Sequence, residues 1–132
     1  MKQEVPMRTY FFTYEELEYL ASMLIAQGEI VDQKEIPWFR FQKRRERKRT
    51  LTEFRNILAR IIPVINEADQ TNHKDTLQLE LDGGNISLLQ RVIHKTLAFT
   101  RMSNEGWTEE TEKLLYIGRL LQKKFEIVKS GD

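Results

Sequence analysis

The sequence predicts an α+β fold that is predominantly helical, with four main helices and two short strands. Three observations carry that expectation. Apolar residues recur at spacings of three and four over four separate stretches, as in helices that bury one face. Thr76 to Asp82 alternates leucine with polar residues, as a half-buried strand does. The order strand, helix, loop, capped helix occurs twice, over residues 8–67 and 76–129. Two such β-α-α units could pair their strands and stack four helices on one face. The two halves resemble each other in role, not in identity.

Arg8 to Phe12 is β-branched and aromatic and predicts the first strand. Thr13-x-x-Glu16 forms a capping box, with Glu15 and Glu16 at the positive end of the helix it opens. That helix is expected from Tyr14 to about Gln27, with Leu17, Leu20, Ala21 and Leu24 inward and Gly28 as the residue that ends it. Residues 29–49 carry no stripe. Pro37 suits the first position of one or two helical turns around Trp38, decaying into a solvated basic stretch. Thr50-x-x-Glu53 reads as a second capping box, and its helix buries Phe54, Ile57, Leu58, Ile61 and Ile65. Pro63 should kink or stop that helix near Ile62, because proline lacks a donor and crowds the carbonyl of Ala59. Residues 66–75 are polar and read as a loop.

The second strand, Thr76 to Asp82, turns Leu77, Leu79 and Leu81 to one side. Gly83-Gly84 breaks it and Asn85 is a good N-cap. The third helix, Ile86 to about Phe99, buries Ile86, Leu89, Val92, Ile93 and Leu97. After a loop from Thr100 to Trp107, Thr108 caps a last helix that buries Leu114, Ile117, Leu121, Phe125 and Val128. Lys123, Lys124 and Lys129 sit near its negative end, and Gly118 in its middle marks close helix packing.

Composition bounds the function. A chain of 132 residues fits one domain, residues 1–132. Surface scaling gives about 7,000 Å² folded against about 23,000 Å² unfolded, so roughly two-thirds can be buried. The 7 Phe, 4 Tyr and 2 Trp argue against a disordered tail. The absence of cysteine excludes a disulfide scaffold, a zinc–thiolate site and a thiol nucleophile. No apolar run approaches ~18 residues, and Met1 to Thr9 lacks the apolar stretch of a signal peptide. The expectation is a cytoplasmic protein that does not engage a membrane.

Charge is the sharpest feature. Residues 40–49 hold Arg40, Lys43, Arg44, Arg45, Arg47, Lys48 and Arg49 against Glu46 alone, a net +6 in a chain whose net charge is +1. Residues 38–49 therefore read as a basic, partly exposed insertion on an acidic body. Such a segment binds phosphate backbones by counterion release, and Trp38, Phe39 and Phe41 could stack on unpaired bases beside it. As large apolar side chains they are expected first as core anchors. The same charge would steer an acidic protein partner. The candidate binding residues are these seven cations with Trp38 and Phe41.

Other chemistry finds little support. A helix-turn-helix is disfavoured, because Phe54 to Ile65 turns only Arg55, Asn56 and Arg60 outward and no Gly-containing tight turn precedes it. His73 and His94 stand in no metal-ligand spacing. Glu80 and Asp82 share a wet strand face but lack the lysine that a magnesium nuclease would place two residues on. Gly83-Gly84-Asn85 lacks the further glycines and the lysine of a phosphate loop. No serine lies in a nucleophile elbow. The sequence thus predicts a protein without catalytic residues, metal or cofactor. It would bind and regulate or inhibit a larger macromolecule, as small phage and mobile-element products do. A protein partner is the first expectation, nucleic acid through residues 38–49 the alternative, and a homodimer is compatible with either.

Overall fold

The computed structural model describes residues 7–102 and 109–130. Six elements follow in order: β1 Met7–Phe12, α1 Tyr14–Gln33, α2 Phe41–Thr71, β2 Leu77–Asp82, α3 Gly83–Met102 and α4 Glu109–Ser130. The architecture is the helix-rich α+β fold of the sequence reading, with strand–helix–helix occurring twice. The capping residue expected at Thr108, and Val128 with Lys129 on the last helix, lie outside the described residues or side chains.

The strands pair antiparallel, Tyr10 opposite Leu79 and Phe12 opposite Leu77. Side chains directly opposite one another share a face. One face therefore gathers Tyr10, Phe12, Leu77, Leu79 and Leu81, all buried, while Met7, Phe11, Gln78 and Glu80 remain exposed on the other. The buried face belongs to one apolar cluster fed by both strands and all four helices. Phe125 of α4 closes on the sheet, its ring 5.6 Å from Tyr10 and 6.1 Å from Phe12, both edge to face.

Polar contacts finish the sheet. The Thr13 hydroxyl accepts from Glu16 N–H, and the Glu16 carboxylate accepts from Thr13 N–H at 2.8 Å, the expected capping box. Glu16 is buried, and its charge is met by Lys124 Nζ at 2.9 Å. Lys124 also donates to the Phe11 carbonyl at 2.8 Å and lies over the Phe12 ring. At the other edge Arg60 of α2 donates to the Glu80 carbonyl at 3.2 Å. Asp82 and Asn85 bond each other's backbone N–H reciprocally. The helix consequently starts at Gly83, and Asp82 takes the capping role that the sequence suggested for Asn85.

The stripes fall as expected, with particular exceptions. Leu17, Leu20, Ala21 and Leu24 are buried, as are Phe54, Ile57 and Ile61, the third-helix set, and Ile117, Leu121 and Phe125. Leu58 and Ile65 are only partly buried. Leu114 is 42% exposed while Leu115 is 3% exposed. α4 packs against both α1 and α3 here, so its buried arc is broad and Leu114 falls on its rim. A Cβ on Gly118 would lie 2.7 Å from Leu97 Cδ2 and 2.8 Å from the Tyr19 hydroxyl, so the close packing expected there is present.

Three boundaries differ from the sequence reading. α1 passes through Gly28 to Gln33. A Cβ on Gly28 would meet Phe54 at an ordinary 3.6 Å, and the residue needs no left-handed backbone, so it does not end the helix. α2 starts at Phe41, making Thr50 an interior residue with no capping role, and no helical turns form around Trp38. α2 also continues through Pro63 for two more turns. Pro63 and Ala59 are exposed, so the carbonyl that loses its partner can turn to water. The helix ends at Thr71, where Asn72 adopts φ 57°, a left-handed cap that asparagine tolerates. The solvent-accessible surface, 9,760 Å², exceeds the spherical expectation of about 7,000 Å². The opening residues of α2, none of them buried before Phe54, contribute to the excess.

Candidate binding surface

α1 and α2 form an antiparallel pair. The Tyr14 hydroxyl donates to Asp69 at 2.7 Å at one end, Gly28 faces Phe54 in the middle, and Arg47 donates to the Lys34 carbonyl at 2.7 Å at the other. The Asp69 carboxylate holds the Tyr14 phenol up at about 12, chiefly through that hydrogen bond. Burial raises the Tyr19 phenol as well. The connection from Lys34 to Arg40 crosses from α1 to α2, with Pro37 in a turn closed by Arg40 N–H to the Pro37 carbonyl at 3.0 Å.

The basic segment is therefore not a loop. Phe41 to Arg49 forms the first turns of α2, built from Gln, Lys, Arg and Glu, which lose little side-chain freedom in a helix. No side chain caps its start at Arg40. Helical geometry sorts the seven cations into two sets. Arg40, Lys43 and Arg47 line a cleft of about 480 Å³ against Val31, Ile36 and Pro37, and Glu46 faces that cleft too. Arg44, Arg45, Lys48 and Arg49 point the other way into solvent. Arg55, outside the set that composition suggests, lies two turns beyond Lys48 on the same side and is exposed.

None of these five outward cations forms an ion pair among the described residues. Glu46 and Glu53, the carboxylates of this stretch, lie at the edge of this face, three and four residues from Arg49. From Arg44 to Arg55 the stripe runs about 16 Å, roughly five nucleotide rises of a stacked strand. Three aromatic rings stand at or just before the start of α2, Phe39 among the cleft-lining residues. Trp38 is 72% exposed, Phe39 59% and Phe41 60%, so none anchors the core. Trp38 and Phe39 meet edge to face, with centroids 6.0 Å apart and planes at 86°.

The remaining candidates are dispersed. Asp69 is held by Tyr14 and by Lys74 at 3.7 Å. Glu80 and Gln78 stay on the exposed sheet face, and Asp82 caps α3. Among the described residues no three His, Asp or Glu side chains gather as metal ligands, and no helix is long and apolar enough to cross a membrane. Neither a family model, a curated protein nor a solved structure matches the chain.

Proposed function

We propose that this protein is a non-enzymatic binding module that acts on a larger macromolecular partner, and that the partner is nucleic acid. The observation that carries the reading is the outward face of α2, where Arg44, Arg45, Lys48, Arg49 and Arg55 are exposed and form no ion pair among the described residues. A row of unpaired cations on a stiff helix is suited to releasing counterions from a phosphate backbone. Arginine, which supplies four of the five, bonds phosphate oxygens in bidentate fashion.

The test is salt-dependent binding of defined oligonucleotides, with Arg44, Arg45, Lys48 and Arg49 replaced by glutamine. The variant should bind more than tenfold more weakly at low salt. The log–log salt slope should flatten by about 3 units, at ~0.7–0.9 for each phosphate no longer neutralised. Affinity and slope unchanged by the four substitutions would refute the reading. A complex captured from lysate that survives nuclease treatment but is abolished in the variant would instead assign this surface to an acidic protein, making the chain a regulator or inhibitor of that protein.

A further inference from the structure

We infer that the nucleic acid is single-stranded, its bases stacking on Trp38 and Phe39 while its phosphates follow the arginine-rich face of α2; the inference rests on the nucleic-acid reading above. Three exposed aromatic side chains in four positions are an unusual use of surface, because large apolar rings left in water forgo the burial that normally stabilises them. Their place gives them a role. They stand at or just before the first turn of α2, Phe39 on the wall of the cleft that Arg40, Lys43 and Arg47 line, where a strand leaving the helix would pass. In an edge-to-face pair each ring keeps at least one face open, so Trp38 and Phe39 each offer a platform to a planar group. Every base has a π-face, and only an unpaired base exposes it. A duplex would present phosphates to the arginines but nothing to these rings. The turn from Pro37 to Arg40 is closed by a backbone hydrogen bond, and the preceding connection is tied at Lys34 by Arg47, so the platforms are positioned before any strand arrives.

The experiment measures anisotropy of fluorescein-labelled dT12 and of a blunt duplex of the same length, for the wild-type chain, W38F and the double variant W38A/F39A. Phosphatidylglycerol vesicles are a third probe. The wild type should bind dT12 at least tenfold more tightly than the duplex. W38A/F39A should weaken dT12 binding at least tenfold and duplex binding less than twofold, with an unchanged melting temperature because both rings are exposed. W38F, which keeps a ring, should retain most of the affinity. Equal binding of dT12 and duplex, indifferent to W38A/F39A, would overturn the single-strand inference and leave the nucleic-acid reading standing. Binding of vesicles, with neither oligonucleotide bound, would overturn both.

Discussion

α2 is one helix with two different halves. From Phe54 to Thr71 it is docked: Phe54, Ile57, Ile61 and Ala68 are buried, Arg60 reaches the sheet, and Asp69 holds Tyr14. From Phe41 to Glu53 no residue is buried, and six of the thirteen are lysine or arginine. The contrast teaches that continuous helix need not mean continuous packing. Once the docked half supplies a nucleus, each further residue adds one hydrogen bond for one residue fixed, and good helix formers extend it into solvent. The docked half is held by the core; the projecting half is held at the surface, by Leu51 beside Gly28 and by Arg47 on the Lys34 carbonyl.

The largest expected effect lies in the docked half. Ile57→Ala should cost about 2–5 kcal/mol through loss of buried methyl groups and the cavity left behind. Arg45→Ala should stay within about 0.5 kcal/mol, as exposed sites do. Comparable costs in denaturant titration would break the distinction between the halves. Next comes Pro63, which interrupts the docked half without ending it. Pro63→Ala should stabilise by about 1–3 kcal/mol, since it restores a donor to the Ala59 carbonyl and removes the ring's crowding. A drop in melting temperature would mean that the proline shape is itself required for packing.

In the projecting half, Lys43 sits in the first turn, where the helix dipole disfavours a cation. Lys43→Glu should raise stability by about 0.3–1 kcal/mol at low salt and less at high salt. A salt-independent change would show that packing in the cleft and not the dipole governs that site. The smallest effect is at the far end, where Tyr14 meets Asp69. The phenol is held at about 12 against an ordinary 10, so its folded value is the higher one. Its contribution is then complete below pH 10 and disappears as pH rises from 10 through 12. Tyr14→Phe should remove one late-ionising phenol from an absorbance titration and weaken the alkaline dependence of stability, leaving neutral pH little changed.

The same contrast explains what can be read from the residues alone. The docked half announces itself through Phe54, Ile57 and Ile61, as α1, α3 and α4 do through their stripes, and the Leu77–Leu81 alternation places the second strand. The projecting half reads as a solvated run because it buries no face, and periodicity records burial, not helicity. Thr50-x-x-Glu53 looks like a beginning only when the residues before it are assigned to a loop. Pro63 and Gly28 are local breakers overruled by context, one by solvent access and the other by a backbone that never needs to turn left-handed. The cations of the candidate surface are legible by composition. Their division into a cleft-lining and an outward set is not, because it depends on the helix starting at Phe41. The exposure of Trp38 and Phe41 is equally illegible, since large apolar rings read first as core anchors and the structure leaves them in solvent.

The sheet, finally, is finished at two strands. In an antiparallel ladder every second residue aims its carbonyl away from its neighbour, and the register gives Phe11 and Glu80 the same parity. Lys124 occupies the first of these carbonyls and Arg60 the second. A third strand joining at β1 would have to dislodge a lysine that also neutralises buried Glu16, and one joining at β2 would have to prise away α2. Each edge of the sheet is thus occupied by a side chain where a further strand would have to pair.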